Sequence, residues 1–550
     1  VTLSTLDRPT VLSRLTREVF DLVVIGGGIS GAGIAREAAL RGASVALLEA
    51  RDYASGTSSR SSKLIHGGLR YLALGDVALV RTTALERKVI RRLAPHLCEP
   101  RWMVVPARSR ASLLKFRAGL TTYEKLGAVE KADLHRSWSG DELAQEEPLL
   151  DRDRFPYACA YREYLTDDAH LVLANLRQAV QHGAAVLNHA PVTAIRTQSG
   201  RACGVDATCR ESGAELHVRG RGVINAAGPW VECVQRLEDP AAKPLLHLSK
   251  GVHVAFPAER LPVRHMLVLG TEDKRSIFAI RVGETVYLGT TDTSYPHGED
   301  VWPEIRLSDV EYLTRPVERH LRCTAPRPDE AVAAWAGLRP LVAQPGRPPT
   351  EMSRRDEIRV GPHGLVTLAG GKLTGYRPTA QETLARSAAL TGISLAPPLD
   401  EEPPLPGGDF DGDLDALAAA AQREFGLDAD TAARLVRLYG SETRTLAASG
   451  GGPLVPGAPV LASEVEYAVR ALGAVHVEDV VYRRIRTALY VPSARESGVE
   501  PVAEIMAGLL GWDDARRRAE IDETRGRLAA DLGFRVSRPD RGAPEREDGA

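Results

Sequence analysis

The sequence predicts an α/β domain interrupted by an inserted, mostly antiparallel β-sheet and followed by an all-α C-terminal domain. Three observations carry this expectation. Strand, glycine turn, helix, second strand and acid succeed one another from Asp21 to Glu49; apolar and polar residues alternate from 245 to 295; helical spacing prevails from 410 to 535.

Asp21-Leu-Val-Val-Ile25 is an apolar run suited to a buried parallel strand. Gly26-Gly27-Gly28-Ile-Ser-Gly31-Ala-Gly33 follows. In a Rossmann-like unit Gly26 permits the tight turn, Gly28 lets the backbone approach a pyrophosphate, and Gly31 lets the helix lie close on the sheet. Ile34, Ala35, Ala38 and Ala39 recur at helical spacing, and the helix N-terminus offers unpaired N–H groups to the pyrophosphate. Val45-Ala-Leu-Leu48 is the second strand. Glu49, 23 residues beyond Gly26, can accept both hydroxyls of an adenosine ribose and would repel a 2′-phosphate.

Further along, a helix is expected from near Asp76 to Pro95, and another from Ala169 to His182 with a glycine stop at Gly183. Gly222-Val-Ile-Asn-Ala-Ala-Gly228 reads as a strand ending in a small-residue turn. In the alternating region Val252, Val254 and Phe256 share one face and Phe278, Ile280 and Val282 another. Residues 308–322 read as a helix, Leu365–Ala369 as a strand ending at Gly370-Gly371, and 378–390 as a helix. The expected division makes 1–20 an arm and assigns 21–98, 150–235 and 355–395 to a discontinuous nucleotide domain. Residues 99–149 and 236–354 form a substrate or cap domain, the proline-rich 396–409 a linker, 410–535 a separate helical domain and 536–550 a disordered tail.

The chain has 550 residues, too many for one core. A net charge of −2 gives no general affinity for nucleic acid. Six scattered cysteines lack any CxxC pair, so no metal site is read and a reducing, cytoplasmic setting is expected. Pro9 and several charges rule out a signal peptide in 1–20, and no apolar run reaches the roughly 18–20 residues of a membrane span.

After Glu49 the chain runs Thr57-Ser58-Ser59-Arg-Ser61-Ser62-Lys63-Leu-Ile-His66-Gly-Gly-Leu-Arg70-Tyr71. With Val223–Trp230, Leu288–Asp292 and Gly370-Gly371-Lys372-Leu373-Thr374, this stretch closely resembles the FAD-dependent, respiratory glycerol-3-phosphate dehydrogenases, over residues 20 to 530. Gly375 departs from the family, where a larger residue is common. The resemblance implies a Rossmann-like FAD-binding domain and FAD as cofactor. It implies oxidation of sn-glycerol 3-phosphate to dihydroxyacetone phosphate by hydride transfer from C2 to flavin N5. A respiratory quinone would take the electrons, placing the protein on the inner face of the cytoplasmic membrane; a homodimer is left open. A glycerol-3-phosphate oxidase using oxygen and an amine-oxidising flavoenzyme are the alternatives.

On the same ground the cofactor would meet Gly26, Gly27, Gly28, Gly31, Gly33, Glu49, Thr57, Ser58, Ser59, Ser61, Ser62, Gly228, Gly371, Lys372, Leu373 and Thr374. Residues matching Arg70, Tyr71 and Arg355 face the phosphate in the family, with Arg354 a rival for Arg355. Arginine forks suit a phosphate dianion. His66, Arg339 and Lys372 would lie nearer the alcohol. Arginine ionises only above a pKa of about 12, so Arg339 suits alkoxide stabilisation and His66, with an ordinary pKa of about 6.5, the role of base. N–H groups at Gly370-Gly371 and the charge of Lys372 would stabilise a reduced flavin, the dipole contributing roughly 0.3–2 kcal/mol. Arg108–Arg117 mixes basic residues with Leu113, Leu114 and Phe116, as a segment at a membrane surface would.

Overall fold

The computed structural model describes residues 2–67, 77–296, 300–343 and 356–536. Two sheets organise it. In the first, the strands run in the order Glu357–Val360, Val366–Ala369, Glu215–Asn225, Val19–Ile25, Val45–Leu48 and Ala185–Leu187. The inner pairings are parallel, so strand ends that face the same way collect at one edge. The hairpin Val192–Gln198/Arg201–Thr208 extends this sheet antiparallel to the start of Glu215–Asn225. Helices Ile29–Leu40, Asp168–Gln181 and Tyr376–Thr391 share its apolar core. Gly33 permits the close crossing of two of them, since a Cβ there would lie 2.8 Å from Tyr376 Cδ2.

The second sheet has ten strands and is antiparallel except where Met266–Gly270 runs alongside Glu99–Ala107. Its centre pairs Leu246–Pro257 with Thr285–Gly289 on one side and Ala333–Val342 on the other. Val252, Val254 and Phe256 are buried in one cluster and Ile280 in another, with Phe278 and Val282 packed against the latter, as the alternation predicts. Two strands cross the expected boundary. Tyr157–Leu165, assigned from sequence to the nucleotide domain, pairs with Glu99–Ala107 and with Leu64–Ile65 in this sheet. Its near partner Arg136–Ser139 precedes it by about twenty residues, but the strands that carry it into this sheet lie about fifty to a hundred residues earlier.

The ends of the chain are also more tightly bound than expected. The N-terminal arm contains a helix, Arg8–Arg17, with Leu15 fully buried, and Thr5 Oγ1 donates to the Ala474 carbonyl at 2.6 Å. Residues 308–322 break into Leu307–Thr314 and Val317–His320, because Pro316 cannot continue the first helix. The proline-rich linker is docked: Glu402 is buried against Arg36 and Arg377. The C-terminal helices pack on the inserted sheet, since Val480, Ile485, Leu489, Val502 and Met506 share one apolar cluster with its Ala255, Ile280, Tyr287 and Trp335.

Buried charges join the domains as well. Asp52, three residues after Glu49, accepts hydrogen bonds from Arg483 and Arg484, the latter at 2.8 Å through Nη2. Replacing Asp52 with Ala deprives two buried guanidinium groups of a shared carboxylate and should cost about 3–5 kcal/mol in urea unfolding; an unchanged midpoint would contradict this. His96 and His170 pack edge-on or tilted against Phe410 and Tyr439 of the C-terminal region. Burial pushes His96 down to about 3 and lowers His170. Unfolding restores an ordinary value of 6.5, so the unfolded chain gains protons that the folded chain refuses. Stability should therefore be full above this value and fall as pH drops toward 3, by up to ~1.4 kcal/mol per pH unit for each histidine. Denaturant titrations of wild type and His96→Gln should show the shallower acid slope in the variant.

Candidate cofactor and substrate cavity

A continuous cavity of about 1400 Å³ opens at the carboxyl ends of the parallel strands and continues under the second sheet. Ile25-Gly26, Leu48-Glu49, Ala226–Gly228 and Gly370-Gly371 all line it, as expected for a ligand at the switch point of a parallel sheet. Gly26 has φ +111° and Gly371 φ +103°, conformations that exclude a side chain and leave bare backbone on the wall. Gly31 serves packing instead. A Cβ there would lie 1.9 Å from the Gly26 carbonyl oxygen, so its bare backbone seats the helix on the turn.

Glu49 is held ready. Its Oε2 accepts the Gly27 N–H at 2.6 Å and its Oε1 the Arg51 N–H at 2.8 Å. Burial raises its pKa, and these two N–H groups oppose the rise. Gly27 thus positions the acid and does not line the cavity itself.

The hydroxyl-rich loop divides its labour. Thr57, Ser58, Ser61 and Ser62 line the cavity. Thr57 Oγ1 donates to the Leu338 carbonyl at 2.6 Å, and Ser58 Oγ accepts the Ile29 N–H at the helix start. Ser61 Oγ donates to Asp168 at 2.7 Å, and Ser62 Oγ lies 2.9 Å from His253 Nε2. Besides Gly27 and Gly31, three more residues expected at the cofactor engage protein partners. Ser59 is buried and offers its carbonyl to Lys63 Nζ. Gly33 abuts Tyr376. The Thr374 hydroxyl accepts from the His66 N–H and donates to the His66 carbonyl, both at 3.1 Å. Each is small or hydroxylic, and packing or backbone bonding uses those properties as readily as a ligand does.

His66, Arg339, Lys372, Gly228, Gly371 and Leu373 come from remote segments to the same cavity. Arg339 is braced by the Thr291 carbonyl at 3.1 Å, Asp292 Oδ1 at 3.2 Å and Thr290 Oγ1 at 2.9 Å. Asp292 is the counter-ion of this guanidinium. The charge of Lys372 helps hold down the Glu163 carboxyl, which burial pushes up more strongly. Arg70, Tyr71, Arg354 and Arg355 lie outside the described residues.

Several wall residues escaped sequence reasoning. His253 is buried, stacks on Trp335 at 5.0 Å with rings 8° apart, and lines the cavity. Burial first, then the charges of Arg339 and Lys63, drive its pKa well below the ordinary value, so its imidazole is neutral. Gly251 faces Arg339 across the strand pair; a Cβ there would lie 2.5 Å from Arg339 Nη2. Alternation marked the neighbours of both but could not mark the partners. Tyr123, from the helix Arg110–Leu126, accepts the Gly67 N–H at 3.1 Å and bonds Arg87 and Glu163, fixing the backbone of the residue next to His66.

Comparison with known proteins fits this geometry. The sequence model of a family described as FAD dependent oxidoreductase matches residues 21–377, and one described as the C-terminal domain of alpha-glycerophosphate oxidase matches 401–517. The chain is 37% identical over 457 residues to an aerobic glycerol-3-phosphate dehydrogenase of Staphylococcus haemolyticus, covering 81% of this chain and 82% of the relative. It is 36% identical to the Staphylococcus aureus enzyme of that name over the same shares. Among solved structures, glycerol-3-phosphate dehydrogenase of Bacillus halodurans with FAD gives a TM-score of 0.78 at 29% identity, covering 98% of this chain and 99% of that one. The L-α-glycerophosphate oxidase of Mycoplasma pneumoniae, at 17% identity and TM-score 0.54 over 70% of this chain and 97% of that one, shares the fold. Bare glycine backbone, a helix N-terminus and a braced acid along one cavity fit FAD, and the chain belongs to the family of FAD-dependent glycerol-3-phosphate dehydrogenases.

Proposed function

We propose that the protein oxidises sn-glycerol 3-phosphate at C2 to dihydroxyacetone phosphate and passes the electrons to a quinone at the inner face of the cytoplasmic membrane. One observation carries this reading: His66, Arg339 and Lys372 line the cavity that also holds Glu49 and the glycine turn. FAD, when bound, supplies the two-electron acceptor for the C2 hydrogen. The chain's own side chains do the rest. Arg70, Tyr71 and Arg355 hold the phosphate dianion, a proposal that rests on their motifs. Arg339, already oriented by Asp292, stabilises the developing alkoxide without reorganisation. Lys372 adds positive charge, and His66 accepts the hydroxyl proton. His253 lies on the same cavity but is the poorer base, since the burial that keeps its imidazole neutral also opposes its gaining a proton.

The acceptor reading is supported by the cavity's apolar flank. Met103, Val105, Phe116, Val268 and Phe278 line it, and Phe116 belongs to the helix Arg110–Leu126. That helix also carries Arg110, Lys115 and Arg117, and its Leu114 is 61% exposed. Apolar and cationic groups together suit a lipid surface from which a long-chain quinone enters. Among the described residues no helix is long and apolar enough to cross a membrane.

Replacing Arg70 with Ala should remove a charge-assisted bond of ~1.5–3 kcal/mol, lowering kcat/KM for glycerol 3-phosphate roughly 10- to 150-fold. FAD content should stay near one per chain, and unchanged kinetics would remove Arg70 from the clamp. Phe116→Gln should lower kcat/KM for a long-chain quinone analogue at least about fivefold, a loss of ~1 kcal/mol of apolar contact. Turnover with a soluble dye should persist; equal loss with both acceptors would place Phe116 outside the quinone path.

A further inference from the structure

Behind the nucleotide end of the cavity, imidazoles and carboxylates meet in a cluster that the proposed oxidation does not use. His189 follows the strand Ala185–Leu187, Glu211 lies in the turn after Arg201–Thr208, and His476 precedes the helix Val477–Arg483. One ligand atom from each of these three lies within 4.8 Å of the other two. His476 Nε2 is 3.0 Å from Glu211 Oε1, and the two imidazole centroids are 4.5 Å apart. We propose that His189, Glu211 and His476 bind a divalent transition-metal ion of the zinc class, which clips the C-terminal helices to the loop behind Glu49.

The ligand chemistry carries the first part of the argument. Two imidazoles and one carboxylate form a three-protein-ligand zinc set, with a fourth position for water. Tetrahedral bonds would bring the ligand atoms to about 3.3–3.5 Å from one another, within reach of side-chain rotation from the observed spacing. The surroundings of such ligands are present too. Glu520 Oε1 lies 2.7 Å from His476 Nδ1, as an outer carboxylate that leaves Nε2 to the ion. Asp479 Oδ2 lies 3.3 Å from His189 Nε2. The backbone of His189 is pinned at φ +52°, its N–H donating to the Arg51 carbonyl and its own carbonyl accepting the Arg210 N–H, both at 2.8 Å.

Electrostatics points the same way. Glu211, Glu520 and Asp479 gather carboxylates around His476, and Arg516 reaches Glu211 at 3.2 Å, Glu520 at 2.8 Å and His476 Nδ1 at 3.1 Å. Arg516 is 38% exposed and can swing into solvent. A divalent ion can take the place of that guanidinium among the carboxylates, and since imidazole ligates only when neutral, binding tightens as pH rises. The neighbouring trio Asp52, His189 and Asp479 is filled differently, by Arg483 and Arg484. Ligation at His189 would also stiffen the acid's surroundings, because the Ala190 N–H donates to the Glu49 carbonyl at 2.8 Å.

The test uses the FAD-loaded full chain, stripped with a chelator and returned to Zn(II), with bound metal measured by mass spectrometry and affinity by competition with a chromophoric chelator. One zinc per chain is expected, binding more tightly from about pH 6 to about pH 8 and raising Tm. Glu211→Gln and His476→Asn should each weaken binding at least about tenfold and abolish the zinc-dependent rise in Tm. Glu211 lies in a surface hairpin, so its variant should keep its FAD content as proof of folding. Failure to bind stoichiometric zinc overturns the proposal. So does zinc retained by the double variant, or a Tm loss in Glu211→Gln that is equal with and without zinc, which would make the cluster an ion-pair bridge.

Discussion

Asp168, at the start of the helix Asp168–Gln181, is fully buried, and its oxygens receive the Ser61 hydroxyl at 2.7 Å, Lys63 Nζ at 2.8 Å and Arg486 Nη2 at 2.9 Å. A buried carboxylate is tolerable only when so paired. Lys63 and Arg486 both adopt left-handed backbone conformations, φ +57° and +62°. Such conformations cost about 1–3 kcal/mol each and persist where surrounding bonds over-determine them. Burial depresses Lys63 to about 8 even beside this carboxylate. Through Asp168 the hydroxyl-rich loop, the central helix and the C-terminal domain become one unit. His66 follows three residues after Lys63, so the position of a proposed catalytic group is inherited from this network.

The same economy of fixed partners governs Arg339. An arginine that must meet developing negative charge is most effective if its orientation is settled beforehand. Asp292, Thr290 and the Thr291 carbonyl settle it, and the absence of a side chain at Gly251 leaves it room. Arg339 in turn helps keep His253 neutral at the cavity wall. The charge proposed to meet the substrate therefore adds to burial in lowering the pKa of its neighbour.

What sequence reasoning could reach follows from distance along the chain. The glycine turn, its strands and Glu49 are legible because each acts within thirty residues of the others, and the antiparallel sheet because alternation is a local pattern. The strand Tyr157–Leu165 joins the second sheet through Glu99–Ala107 and Leu64–Ile65, about fifty to a hundred residues away, which no local pattern announces. Gly33, Ser59 and Thr374 fit the motif, yet their small size and hydroxyl groups serve Tyr376, Lys63 and the His66 backbone. His253, Gly251 and Asp168 carried no signal, since each gains meaning only from contacts about eighty to three hundred residues away. The docking of the C-terminal helices was hidden for the same reason: their apolar faces predict burial but not against which sheet.

Residues from both sheets line one continuous cavity, proposed here to serve one flavin and one phosphorylated alcohol. Anaerobic titration of the yellow protein with glycerol 3-phosphate, followed by a quinone analogue and then by oxygen, addresses that claim most directly. Bleaching of the flavin absorbance to completion, with faster recovery by quinone than by oxygen, is the predicted result. A flavin that stays oxidised at saturating glycerol 3-phosphate, or one that oxygen restores faster than quinone does, would contradict it.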